Sequence, residues 1–181
     1  GFDALTQAVE SFLSRKATPV SRLLAAQGAQ KLLCHLQGAF EGELARLDPV
    51  TEGSMLGAAA FGQSGLGAVH GLAHPVGSIL HVPHGVCCAI LLPEVLRWNL
   101  EAARDSLAEL AGELNCASPE ELIDRIETLR KTLHLPGNFR EYGLAPQHYP
   151  FILANCRSGS MKCNPRDLSD AEITELLEAL S

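Results

Sequence analysis

Apolar side chains recur along most of this chain every three or four residues, the spacing that gives an α-helix one buried face. Leu5, Val9 and Phe12 keep that rhythm through residues 3–14, and Leu23, Leu24, Leu32, Leu33, Leu36 and Phe40 carry it through residues 19–46. Pro19 directly after Thr18 suits the first turn of the second segment. Asp48-Pro49 is expected to break the chain. The Ala- and Gly-rich stretch 51–63 then suits a helix packed closely on its neighbours. Residues 64–85 are rich in glycine and histidine and hold two prolines. The strongly apolar run 86–98 predicts a buried helix kinked near Pro93. Residues 101–114 and 118–133 read as amphipathic surface helices, the second opened by Ser118-Pro119-Glu120-Glu121. A loop over 134–149, a short helix over 149–156 and a last helix begun by Ser169 and Glu172 complete the pattern. No pair of alternating strands and no internal repeat interrupts it. The expectation is one all-α domain, a multi-helix bundle over residues 1–181.

Composition narrows the class. Of the 181 residues 46% are hydrophobic and only 5% aromatic, so a core of ordinary size must be mostly aliphatic. Fourteen basic residues are scattered among 21 acidic ones, for a net charge of −7. A phosphate-binding face needs clustered Lys and Arg, so nucleic acid is not an expected partner. No apolar run reaches the roughly 18 residues of a membrane span, and no signal peptide is recognised. The six cysteines show no Cys-x-x-Cys spacing and read as reduced, mostly buried thiols of a cytoplasmic protein. Gly1 is not a start methionine and the helical pattern begins at Asp3, so the chain reads as a piece of a longer protein.

Four of the seven histidines, His70, His74, His81 and His84, fall within 15 residues. His70 and His74 are four apart, so on a helix their rings share a face. His84 sits between Pro83 and Gly85, where the backbone can turn its ring toward that face. Two imidazoles and a carboxylate form a divalent-metal site with positions left for water or substrate. Asp3 is the candidate carboxylate, which spacing alone does not select. His35, His134 and His148 lie in polar or amphipathic surroundings and read as structural or exposed.

Three ordered segments carry a resemblance. Gly1 to Glu10 (GFDALTQAVE) is similar to a GxDALTHAIE segment, Gly67 to Gly77 (GAVHGLAHPVG) to GxVHxxAHxxG, and Val82 to Gly85 with Ala89–Pro93 and Asn99 to a PHG…AILLP…N stretch. Together they resemble the iron-dependent (group III) alcohol dehydrogenases over the first 99 residues, with a weaker match from Leu135-Pro136 to Asn164-Pro165. The resemblance implies the helical C-terminal domain of a two-domain enzyme. That domain holds Fe2+ or Zn2+, while an N-terminal α/β domain, outside this chain, holds NAD(P). It implies Asp3, His70 and His84 as metal ligands and His74 as a proton-relay group near the reacting carbons. It also implies small alcohols and aldehydes as substrates and assembly as a homo-oligomer.

One position departs from the pattern. Where the family carries a fourth ligand, a histidine four residues after the aspartate, this chain has Gln7. Three readings stand: a weakened metal site, a site of ordinary affinity completed by Gln7 or water, or a metal-free enzyme like maleylacetate reductase. The segment Ser158–Pro165 resembles one subgroup of the family, and Lys162 within it reads as a solvated loop lysine. The Gly65-x-Gly67 spacing lacks the strand–turn–helix setting of a dinucleotide fingerprint. The isolated chain is therefore expected to bind metal at most, without NAD(P)-dependent turnover. A non-catalytic helical scaffold is the competing expectation.

Overall fold

The computed structural model describes all of residues 1–181, and it is all helix without a strand. Nine α-helices follow one another: α1 Phe2–Leu13, α2 Pro19–Phe40, α3 Leu47–Ser64, α4 Ala68–Leu80, α5 His84–Asn99, α6 Arg104–Glu113, α7 Pro119–Thr132, α8 Tyr149–Asn155 and α9 Asp170–Ala179. Short 3-10 turns lie at Leu44–Arg46, Arg140–Tyr142, Pro146–His148 and Met161–Cys163.

Local chemistry fixes most of the ends. Thr18 caps α2, its hydroxyl accepting from the Ser21 N–H at 3.1 Å while the Ser21 hydroxyl accepts from the Thr18 N–H at 2.8 Å. Ser169 and Glu172 form the same reciprocal cap on α9, while on α7 Ser118 accepts from the Glu121 N–H and Glu121 accepts from the Ala117 N–H. The two departures from the sequence reading have simple causes. The long second segment stops at Phe40 because Gly42 takes φ +93°, a left-handed conformation that ends the helix. Asp48-Pro49 does not break the chain; it opens α3. A helix leaves its first N–H groups without internal partners, so a proline there gives up nothing.

α1 is the hub. Leu5, Ala8, Val9 and Phe12 are buried in the common core, which α2, α3, α5 and α6 help to enclose. α2 and α3 meet on bare backbone: a Cβ on Gly28 would lie 2.9 Å from the Gly53 carbonyl oxygen and from the Gly57 nitrogen. α3 in turn lies along α1, where a Cβ on Gly57 would meet the Ala8 Cβ at 3.4 Å. α4 and α5 form the second packed pair, α5 buried from Cys87 to Leu96 apart from Glu94. Both continue through internal prolines, Pro75 and Pro93. α4 ends at His81 in the left-handed conformation, φ 56°. The short connector His81–Pro83 then turns the chain so that α5 starts at His84.

Candidate metal centre

The site is assembled from the first turn of α1, the first half of α4 and the first two turns of α5. On α1, Asp3, Gln7 and Glu10 follow at i, i+4 and i+7, so one helical face carries all three. On α4, His70 sits one turn after Gly67 and His74 one turn further. On α5, His84 and Cys88 are likewise four apart.

These side chains converge. Asp3 Oδ1 lies 3.1 Å from His70 Nε2, 3.6 Å from His84 Nε2 and 3.5 Å from Cys88 Sγ. Cys88 Sγ is 3.6 Å from His84 Nε2. One donor atom from each of Asp3, His70, His84 and Cys88 lies within 4.8 Å of all the others. Bonds of about 2.0–2.3 Å to nitrogen, oxygen and sulfur allow one ion to reach every member of such a group. The donor set therefore fits a divalent cation.

A supporting layer holds the donors. Glu10 is nearly fully buried, and each of its carboxylate oxygens accepts one hydrogen bond. Oε2 takes the His70 Nδ1–H at 2.6 Å and Oε1 takes the Val69 backbone N–H at 2.7 Å. The first bond sets the tautomer that leaves Nε2 free to face Asp3, as second-layer carboxylates do for metal-binding histidines. The second satisfies an N–H that the start of α4 leaves without a partner, where the helix dipole also favours negative charge. The neighbouring Ala68 N–H donates to Asn164 Oδ1 at 3.2 Å, and Asn164 exchanges two 2.9 Å hydrogen bonds with Asn99, both side chains buried.

Electrostatics follow from this packing. Burial lowers the basicity of His70, but hydrogen bonds to Asp3 and Glu10 outweigh it and raise its pKa to about 9. The bond to His70 holds Asp3 below the ordinary carboxylate range, against the opposing effect of burial. Burial lowers His84. Burial, reinforced by the charges of Asp3 and Glu10, pushes the Cys88 thiol far up. Without an ion, a buried imidazolium thus stands between two carboxylates.

The residues singled out from sequence are placed as follows. Asp3, His70 and His84 come together. Gln7 stands beside them and turns its amide nitrogen to Asp3 Oδ2, donating at 3.2 Å. His74 is exposed at the mouth, its ring stacked on His84 with centroids 5.0 Å apart and planes 16° apart. His81 is exposed at the end of α4, and His35, His134 and His148 lie elsewhere, His35 against Arg46 and His148 accepting from the Ala145 N–H. Lys162 is exposed. The sequence reading missed two members. Cys88 was counted among the buried thiols, although its position one turn after His84 was a usable signal. Glu10 was passed over although it shares the face of Asp3. An apolar cavity of about 300 Å3, walled by Leu36, Phe40, Val86, Leu133 and Leu135, opens directly beside Asp3.

The profile of the Fe-containing alcohol dehydrogenase family, C-terminal part, matches residues 1–181. The chain belongs to the iron-containing alcohol dehydrogenase family. Among its relatives in that family, the NADPH-dependent butanol dehydrogenase of Clostridium saccharobutylicum is 30% identical over 99% of this chain and 49% of its own length. The 1,3-propanediol dehydrogenase of Citrobacter freundii is 33% identical over 97% of this chain and 48% of its own. A crystal structure of 1,3-propanediol oxidoreductase superposes with a TM-score of 0.93 at 29% identity, covering 99% of this chain and 50% of that one. The chain thus spans about half the length of the family members it matches.

Proposed function

We propose that this chain is the metal-holding helical part of an NAD(P)-dependent alcohol dehydrogenase or aldehyde reductase acting on small alcohols and aldehydes. The observation that carries the reading is the meeting of Asp3, His70 and His84, from three helices, at one partly exposed point. Asp3, His70 and His84 would hold a divalent ion, Fe2+ or Zn2+, which when bound supplies a Lewis acid for the carbonyl or alcohol oxygen. NAD(P), which carries the hydride, would be held by a nucleotide-binding domain outside these 181 residues. The butanol dehydrogenase relative, NADPH-dependent by name, favours such a partner.

The chain's own residues then divide the work. Glu10 fixes the His70 tautomer and Gln7 steadies Asp3. His74, exposed and stacked on His84, stands where its ring can pass a proton between the site and solvent. No helix is long and apolar enough to cross a membrane, and all six cysteines are free, which favours a cytoplasmic enzyme.

A second reading has its own observation. Asp3 accepts from Gln7, His70 and Cys88 at once, so the cluster satisfies itself without an ion, as a metal-independent reductase of the maleylacetate reductase kind would require. One experiment separates the possibilities. Joined to a nucleotide-binding domain, the chain is expected to oxidise short alcohols with NAD(P)+, and to lose that activity on exhaustive chelation. Full activity after chelation favours the metal-independent reading. No activity in the joined protein leaves only a helical scaffold. The 181-residue chain alone is expected to give no turnover.

A further inference from the structure

The geometry points to Cys88, rather than Gln7, as the fourth ligand, giving this chain a metal site of two imidazole nitrogens, one carboxylate oxygen and one thiolate sulfur. The inference rests on the reading of Asp3, His70 and His84 as metal ligands and goes on to name what completes them.

Three observations carry it. First, four of the six donor–donor spacings lie close to the edges of a tetrahedron, and the other two, from His70 to His84 and to Cys88, stay within 4.8 Å. With bonds of about 2.0–2.1 Å to nitrogen or oxygen and about 2.3 Å to sulfur, tetrahedral neighbours stand roughly 3.3–3.6 Å apart. The measured edges are 3.1 Å (Asp3–His70), 3.6 Å (Asp3–His84), 3.5 Å (Asp3–Cys88) and 3.6 Å (His84–Cys88). Second, all of these edges end on one oxygen of Asp3, Oδ1, or on the other donors themselves. The remaining oxygen, Oδ2, is taken by the Gln7 amide, which leaves Gln7 outside the group and Asp3 presenting a single oxygen. Third, Cys88 is completely buried on α5, one turn after His84, so both donors ride on a rigid helix. Cys87 next to it faces away, toward the Val82 carbonyl.

On binding, the Cys88 thiol and the Nε2 of the His70 imidazolium each give up a proton to solvent, as bonds to the metal replace their hydrogen bonds to Asp3. A coordinated thiol is deprotonated outright by the ion beside it. A sulfur donor in a tetrahedral set favours Zn2+, or Co2+ as its spectroscopic stand-in, and lies toward the zinc end of the Fe2+-to-Zn2+ scale.

The test titrates metal-stripped protein with Co2+ alone and follows the absorption spectrum. Expected are tetrahedral visible bands together with a sulfur-to-cobalt charge-transfer band in the near ultraviolet. Cys88→Ser should remove the near-ultraviolet band, weaken Co2+ binding by roughly tenfold or more, and shrink the preference for Zn2+ over Fe2+. Cys87→Ser should leave the band in place. If Cys88→Ser fails to fold, zinc-edge X-ray absorption of the unaltered protein decides instead, through one sulfur at about 2.3 Å. Cobalt held without the near-ultraviolet band, or a zinc shell without sulfur, overturns the assignment of Cys88 and leaves the Asp3, His70, His84 reading standing. Absence of any Co2+ binding overturns both.

Discussion

Glu10→Gln is the smallest change that should disable the centre without touching a donor. Glu10 offers two oxygens to two buried donors, the Val69 backbone N–H at 2.7 Å and the His70 Nδ1–H at 2.6 Å. Glutamine has one oxygen and an NH2 group, so whichever way the amide turns, one N–H faces another. Stranding a buried donor costs about 1–3 kcal/mol of stability. If the amide nitrogen faces His70, the imidazole does best to move its proton to Nε2, the atom that should face the ion. Loss of a second-layer partner of this kind typically lowers metal affinity 10- to 100-fold, or about 1.4–2.8 kcal/mol. Both figures can be read separately: urea denaturation in chelator reports the first, and competition for Zn2+ against a chromophoric chelator the second. Zinc binding by Glu10→Gln within about twofold of the unaltered protein, with an unchanged denaturation midpoint, would refute the tautomer argument.

Three further outcomes are expected. A Cβ on Gly67 would lie 2.7 Å from Glu10 Oε1, so Gly67→Ala should displace that carboxylate, cost about 1–3 kcal/mol in denaturation, and weaken zinc binding together with it. Asn164→Ala strands the Ala68 N–H and the Asn99 amide inside the protein and should cost roughly 2–4 kcal/mol in the same assay. In chelator, stability should depend on pH through His70, whose folded pKa of about 9 exceeds its ordinary 6.5. The contribution is complete below about pH 6.5 and disappears as pH rises through about 9, so the denaturation midpoint should fall across that window. Saturating zinc, which needs the imidazole without its Nε2 proton, should cancel the fall, and a flat profile in chelator would count against the buried imidazolium.

The helices were legible because they follow from local rules. Spacing such as Leu5, Val9 and Phe12 and caps such as Ser118 and Ser169 depend on neighbours a few residues away. The end of α2 was misjudged because periodicity continues past Phe40 while the backbone of Gly42 does not. Proline at 49 was misjudged because its effect depends on where in the helix it falls. The site was legible by halves for the same reason. His70 and His84 stand out as a dense histidine run, but Asp3 reaches them only through the packing of α1 on α5, which no local pattern encodes. Cys88 lay in an apolar run that reads as core, and it is core; its sulfur simply lies at the edge where that core meets the donors. Gln7 is named as a fourth ligand only by the resemblance, and nothing local to it signals that the neighbouring helix also brings the Cys88 sulfur to 3.5 Å from Asp3 Oδ1.

The glycine contact between α2 and α3 reaches beyond those two helices. The glycines let the two helices close to backbone contact, and α1 packs on the pair where Gly57 meets Ala8. Asp3 is thus anchored to the first three helices, while His70, His84 and Cys88 belong to the α4–α5 pair. An ion gripped by all four would act as a clasp across the junction, joining residues 67 or more positions apart in the chain. The first hydrogen-bonded amide of α1, Leu5 N–H on the Gly1 carbonyl at 3.1 Å, would then exchange only when the junction opens.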